Sequence, residues 1–269
     1  MGAHIQSGDL AIWTEQVGQG PDVLLIGGLG DTVESWQFQL DGLADVYRLT
    51  AFDNRGAGRT VNPGGLLTVE SMADDAVAVL GAFDIGSAHV AGFSGGSVIA
   101  QELALRHPEL VRSLVLQSTW TAMDPYLRTW SNFMKWLMRA APDERVFLEG
   151  LCLDVYTARS HNDGTVNQII EGVLAFPHKQ SSEDLEAFLE AFIGHDTSER
   201  LPHLSVPALV LAGGIDPITR PELCRAVADG IRGSIFEVME GEAHQPFQEV
   251  PDLWNARVSA FWQSVDSRA

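Results

Sequence analysis

Residues Gly92-Phe93-Ser94-Gly95-Gly96 spell G-x-S-x-G, directly after the apolar run Ala88-His89-Val90-Ala91 and directly before a helix-like stretch from Ser97 to Arg106. A serine on a sharp turn between a strand and a helix has its Oγ lifted above the sheet, and glycines beside it let the chain close that turn without Cβ clashes. The N–H of Gly95 would then point into the same space from the helix start, where a backbone donor and the helix dipole stabilise an oxyanion. An ordinary strand-to-helix turn uses the same residue types, so the pentapeptide alone does not separate a nucleophile from a turn.

A serine hydroxyl is a poor nucleophile at neutral pH unless a base takes its proton and an acid orients that base. Candidates for both lie downstream. The strand-like run Ala208-Leu209-Val210-Leu211-Ala212 ends in Gly213-Gly214-Ile215-Asp216-Pro217, and a second, Ile235 to Met239, is followed by Gly241-Glu242-Ala243-His244-Gln245. Each has a plain reading: Asp216 as a turn residue or helix N-cap ahead of Pro217, His244 as a loop histidine. Three strand-end placements in the chain order Ser, Asp, His are hard to reach by accident. The pattern makes Ser94 the nucleophile, His244 the base and Asp216 the orienting acid. Asp124 is a rival acid, but it lies several residues past the strand-like Leu114 to Ser118, which favours Asp216.

With these residues in place the chain resembles the α/β-hydrolase fold superfamily over nearly its whole length. Val23-Leu24-Leu25-Ile26-Gly27-Gly28-Leu29-Gly30 is similar to the family's strand and oxyanion loop, in which a His-Gly pair precedes the residue supplying the second donor. Carried over by position, that donor is the N–H of Leu29. Gly27 stands where many members have histidine, which leaves the backbone donor intact and leaves open what anchors the loop. Phe52-Asp53-Asn54-Arg55-Gly56-Ala57-Gly58-Arg59-Thr60 is similar to the family's D-x-R-G-x-G-x-S turn, and His107 to Leu116 resembles its helix end leading into the next strand. Within the superfamily the chain looks most like the enol-lactonase, esterase and C–C-hydrolase group.

The elements that must position these residues alternate. Strand-like Leu10 to Val17, Val23 to Ile26 and Tyr47 to Phe52 interleave with helical Trp36 to Ala44 and Val69 to Phe83. After the Ser94 turn the pattern resumes with Leu114 to Ser118, and later with Ala208 to Ala212, Glu222 to Gly230, Ile235 to Met239 and Leu253 to Val265. Such alternation predicts an α/β fold, a mostly parallel doubly wound sheet with ligands at the strand C-termini. From Trp120 to about Pro202 it gives way to helix-like Tyr126 to Ala140, Asp143 to Tyr156, Val166 to Ala175 and Glu183 to Ile193. The turn signal Asn162-Asp163-Gly164 and a helix start at Ser182 punctuate this stretch. The expectation is a core domain of residues 1–119 and 203–269, with residues 120–202 forming a helical cap inserted after the sixth strand. Trp130, Phe133, Met134, Leu137 and Met138 recur at helical spacing as a packing face, part of which must roof the pocket. Trp120, Trp130, Trp136 and Phe93 make an aromatic-rich lining, suited to a substrate with an apolar or ring component. Gly95, where relatives carry bulkier residues, is expected to leave the acyl side open.

Composition narrows the classes. The 269 residues are 45% hydrophobic, enough to bury a full core, and the formal net charge of −19 is spread along the chain. That charge disfavours nucleic acid and anionic membrane as partners; an anionic substrate would need local cations, for which Arg55, Arg59 and Arg128 qualify by position only. No basic-then-apolar leader opens the chain and no apolar run approaches about eighteen residues, so a cytoplasmic enzyme without a membrane span is expected. Cys152 and Cys224 read as buried thiols rather than a disulfide framework or zinc site. The histidines show no H-x-x-x-H or H-E-x-x-H spacing, so neither a metal nor a cofactor is expected. Gly28-Leu29-Gly30 lacks the third glycine of a dinucleotide loop, since position 33 is Val33.

Together these features predict a serine hydrolase of a small or medium carboxylic ester or lactone. Ser94 would attack the carbonyl, His244 would carry the proton, and the Leu29 and Gly95 N–H groups would hold the oxyanion. Carbon–carbon bond hydrolysis, a base-only lyase, oxygenase or cyclase, and a non-turning-over ligand receptor all use the same fold and stay open at this level.

Overall fold

The computed structural model describes residues 2–268. Eight strands form one sheet: β1 (Gly2–Ser7), β2 (Leu10–Gly18), β3 (Asp22–Ile26), β4 (Arg48–Phe52), β5 (Ala88–Phe93), β6 (Val111–Gln117), β7 (Ala208–Gly213) and β8 (Ile235–Met239). Their spatial order is β1-β2-β4-β3-β5-β6-β7-β8, antiparallel at the β1–β2 and β2–β4 pairs and parallel elsewhere. Strands β5 and β7 are buried at every residue. That is why they read as unbroken apolar runs rather than alternations.

Between β3 and β4 lie a 3-10 turn, Val33–Trp36, and α1 (Gln37–Leu43); α2 (Val69–Ala82) precedes β5 and α3 (Gly95–Arg106) follows it. Five helices separate β6 from β7: α4 (Pro125–Ala140), α5 (Glu144–Val155), α6 (Ala158–Asn162), α7 (Thr165–Ala175) and α8 (Ser182–Ala191). Helix α9 (Pro221–Gly230) connects β7 to β8, and α10 (Pro246–Glu249) and α11 (Pro251–Asp266) close the chain.

Side chains alternate across the sheet. Leu24 and Ile26 of β3 join a core with α2, α3 and α9, whereas Val23 and Leu25 join another with α1 and α11. Two apolar layers, one per face, are what a doubly wound sheet requires. The insertion packs on the first layer through Trp120, Leu127, Phe188 and Phe192.

The sequence reading missed β1, α6 and α10. Strand β1 is only partly apolar and gains its place by pairing with β2 across the turn at Gly8, whose φ is +58°. Helices α6 and α10 are too short for a periodicity to register. Helix α8 is capped by Ser181, whose hydroxyl accepts the Asp184 N–H at 3.0 Å, one residue before the expected start.

The insertion is tied to the core around His244. Val155 O accepts the His244 N–H at 3.1 Å. The Glu249 carboxylate of α10 accepts the Thr157 N–H, the Thr157 hydroxyl and the Ser160 hydroxyl at 3.0, 2.6 and 2.5 Å. Arg159 pairs with Glu242, two residues before His244.

Candidate active site

Ser94 stands between β5 and α3 with φ +52° and ψ −122°. Among the described residues only two other non-glycine residues, Asp84 and Ser118, have positive φ. This strained conformation costs on the order of 1–3 kcal/mol and persists only where the surroundings impose it. A Cβ at Gly92 would lie 2.4 Å from Gly96 O, and one at Gly96 would lie 2.2 Å from Ile26 O. The two motif glycines therefore let α3 start hard against β3 and β5, which forces the serine outward.

His244 arrives from the loop after β8. Its Nε2 lies 3.1 Å from Ser94 Oγ and its Nδ1 lies 2.7 Å from Asp216 Oδ2. A carboxylate only accepts, so Nδ1 carries the proton and Nε2 is left as an acceptor facing the serine. The ring packs against Phe93 with centroids 4.9 Å apart.

Asp216 is buried at the end of β7. Its Oδ1 accepts the N–H groups of Ile218 and Thr219 at 2.8 and 3.0 Å, and Oδ2 accepts the Thr219 hydroxyl at 2.7 Å. The turn contacts and the contact to His244 thus meet in one side chain. Burial by itself would push this carboxyl up. The His244 charge and hydrogen bond, with the Thr219 and Ile218 donors, outweigh it and hold the group below the ordinary carboxylate range. Asp124 is engaged elsewhere: it caps α4 through the Leu127 N–H at 2.7 Å and pairs with Arg220 at 2.5 Å.

The loop after β3 closes the other side. A Cβ on Gly28 would lie 3.0 Å from Ser94 Cβ and 3.1 Å from Phe93 O, so glycine lets the loop come close to the serine without crowding. The motif after β4 braces the loop: Asn54 Nδ2 donates to Gly27 O at 2.8 Å, and Asp53 accepts the Val33 and Arg59 N–H groups, both at 2.8 Å.

Ser94, His244, Leu29, Gly95, Trp120 and Trp130 all line one cavity of about 910 Å³ that extends beneath α4, α5, α7 and α8. Phe93 lines it too. Two expectations are corrected here. Trp136 is 59% exposed and stacks on Phe133 on the outer face of α4, away from the cavity. Gly95 does not open the acyl side: a Cβ there would lie 2.7 Å from the Phe188 ring and 2.9 Å from that of Phe192, so the missing side chain admits Phe188 of α8 and Phe192 just past its end instead. Arg55, Arg59 and Arg128 do not line the cavity. Arg55 pairs with Asp75 and Arg59 with Glu34, while Arg128 reaches the Met123 carbonyl. The one Lys or Arg among the described lining residues, Lys179, is paired with Glu144.

Sequence reasoning missed Phe188, Phe192 and Asp31 as cavity residues. The first two carry a weak signal, apolar positions four apart on one helix, but nothing local says which face meets α3. Glu70, Glu102 and His195 also gather their side chains within 4.8 Å without any spacing motif. Glu102 is already held there by Arg200, at 2.7 and 3.1 Å. No helix among the described residues is long and apolar enough to cross a membrane.

Sheet order, elbow geometry and cavity define one class of protein, and comparison with known proteins agrees. A family model for the alpha/beta hydrolase fold matches residues 21–150. The chain is 32% identical over 265 residues to a provisionally named non-heme bromoperoxidase, BpoC, of Mycobacterium tuberculosis, spanning 92% of this chain and 96% of that one. The chain belongs to the alpha/beta hydrolase fold family. It is also 28% identical over 263 residues to a provisionally named carbamate hydrolase, RutD, of Azorhizobium caulinodans, covering 98% of this chain and 99% of that protein. The crystal structure of the enol-lactonase from Burkholderia xenovorans LB400 shares the fold with a TM-score of 0.86, covering 97% and 99% of the two chains at 22% identity.

Proposed function

We propose that this α/β hydrolase is a serine enzyme cleaving a neutral carboxylic ester or lactone of small or medium size. The observation that carries the reading is the unbroken relay from Ser94 Oγ to His244 Nε2 at 3.1 Å and from His244 Nδ1 to Asp216 at 2.7 Å, opening on a mainly apolar cavity. Ser94 attacks the carbonyl as His244 takes its proton, and Asp216 stabilises the imidazolium. The Leu29 and Gly95 N–H groups hold the oxyanion, and His244 returns the proton to the leaving alkoxide. Water, deprotonated by the same histidine, then releases the acyl group. The division of labour proposed here is a core of residues 1–119 and 203–269 that does the chemistry and a cap of residues 120–202 that selects the substrate.

The RutD relative favours a second reading, hydrolysis of a carbamate carbonyl by the same residues. A small polar carbamate would leave most of about 910 Å³ of aromatic-walled space unfilled. Aryl or long-chain alkyl carbamates fit better and belong in the same panel.

The test is a fluorophosphonate probe followed by a panel of aryl esters, lactones and carbamates. Stoichiometric labelling at Ser94, suppressed in His244→Ala, with turnover abolished in both Ser94→Ala and His244→Ala, is the expected result. A Ser94→Ala variant that still turns over its substrate would move the reaction to a base-only class.

A further inference from the structure

Among the described residues, Asp31 is the one buried carboxyl on the cavity wall, and the mechanism does not use it. Asp31 is 7% exposed, follows the oxyanion loop by two residues, and lines the same cavity as Ser94 and His244. Its Oδ2 accepts the Gly28 N–H at 2.8 Å, and its own N–H points back to Gly28 O at 3.4 Å. Both polar backbone atoms of Gly28 therefore end on one residue. The opposite oxygen, Oδ1, faces Gln245 Nε2 at 3.5 Å, beside His244.

A carboxyl stripped of water costs free energy unless something holds it there. Burial pushes the Asp31 carboxyl up, against the Gly28 N–H, the Ser35 hydroxyl and the His244 charge, all of which favour its ionised form. The position also answers the question raised by Gly27. A Cβ on residue 27 would lie 2.7 Å from Asp31 Cβ, so the space beside the missing histidine side chain is taken by Asp31.

We infer that Asp31 is a positioning residue for the oxyanion hole, aiming the Leu29 N–H at the substrate carbonyl by holding Gly28 from both ends; this rests on the serine-hydrolase reading above. The peptide between Gly28 and Leu29 is planar and trans, so its C=O and N–H point in opposite directions. Drawing Gly28 O toward the Asp31 N–H turns the Leu29 N–H the other way, and the side-chain bond to the Gly28 N–H stops the preceding peptide from rotating. Asn54 holds Gly27 O at 2.8 Å, which completes a chain of fixed peptides from the end of β3 to the donor. Preorganised donors act without reorganising as charge develops, so a donor free to rock loses transition-state binding before it loses substrate.

Asp31→Ala removes the acceptor, and Asp31→Asn keeps an oxygen at the same place without the charge. With an aryl ester the alanine variant is expected to lose about 10- to 100-fold in kcat, less than deletion of a donor outright, with KM within about threefold. Affinity for a trifluoromethyl ketone, whose adduct carries the oxyanion, should fall in parallel, and asparagine should recover most of both losses. An alanine variant with unchanged kcat, a loss confined to KM, or an asparagine variant as impaired as alanine would overturn the assignment. Amide hydrogen exchange at Gly28 is read without substrate. Protection in the wild type that is lost in Asp31→Ala supports the anchoring, and a Gly28 amide exchanging like free solvent-exposed backbone in the wild type refutes it even where the alanine variant folds poorly. A wild type that neither labels at Ser94 nor cleaves any ester sinks the hydrolase reading instead, and the Gly28 measurement still decides whether Asp31 holds the loop.

Discussion

Ser94, His244 and Asp216 come from three separate loops, yet each is held by its own neighbours before any substrate arrives. The serine is forced out by two glycine contacts and the aspartate is fixed by three donors from Ile218 and Thr219. The histidine backbone is tied to Val155. Asp216→Asn should keep these turns, because an amide oxygen still accepts the two backbone donors, while reversing the tautomer that His244 needs. A fall in kcat of about 10³ to 10⁴ with the fold retained is expected. Asp124→Asn retains the α4 cap and loses only an ion pair to Arg220, so steady-state kinetics should change by less than about tenfold. The opposite ranking in the same assay would transfer the acid role to Asp124.

Helix α8 and the residue that follows it shape the cavity wall above Gly95. Phe188 and Phe192 pack 5.1 Å apart, Phe192 meets Trp120 edge-on at 5.5 Å, and all three line the cavity above Gly95. Phe188→Leu should widen this wall and raise kcat/KM for branched or longer acyl groups relative to acetyl by about tenfold, the value of a methylene or two in an apolar pocket. Trp136→Ala, on the outer face of α4, should leave the acyl profile and the stability, within about 0.5 kcal/mol, as they were. An acyl-length series run on both variants checks the pair; equal profiles for Phe188→Leu and wild type would remove α8 from substrate selection.

For the molecule as a whole, burial and charge pull stability toward the acid side of neutrality. Burial raises the carboxyls of Asp31, Asp53 and Asp75 above their ordinary range. A carboxyl raised in the folded state contributes stability that is full below its unfolded pKa and is lost as the pH climbs through the folded value. The net charge of −19 adds self-repulsion that grows over the same interval. Asp216, lowered in the folded state, has the opposite sign, its contribution disappearing as the pH falls through the folded value, and His89 and His195, which burial holds below the ordinary imidazole range, also cost stability as the pH falls through their unfolded value. Melting temperatures measured from about pH 8 to pH 3 should therefore rise on mild acidification, pass a maximum below pH 7, and then drop. A melting temperature that only falls from about pH 7 to pH 5 would show that neither the buried carboxyls nor the net charge act in this direction.

Local chemistry made much of this legible from the chain. The G-x-S-x-G turn, the strand-end Asp216 and His244 and the alternating apolar runs are encoded within a few residues of each other, because turn geometry and side-chain periodicity are short-range properties. Strands β3, β5, β7 and β8 and four of the inserted helices could be read for that reason. Pocket shape could not. That Phe188 fills the space at Gly95, that Asp31 occupies the place beside Gly27, and that Trp136 faces outward while Trp130 faces the cavity depend on how helices far apart in sequence cross one another. Periodicity names an apolar face but not the surface it meets. Strand β1 was invisible for the same reason, since a half-polar segment becomes a strand only when β2 offers its edge. Chain-local patterns thus suffice for the fold and for naming the three side chains of the proposed triad, whereas the cavity wall and the contacts of Asp31 arise only from tertiary packing, where contact partners are set by long-range geometry rather than by neighbouring residues.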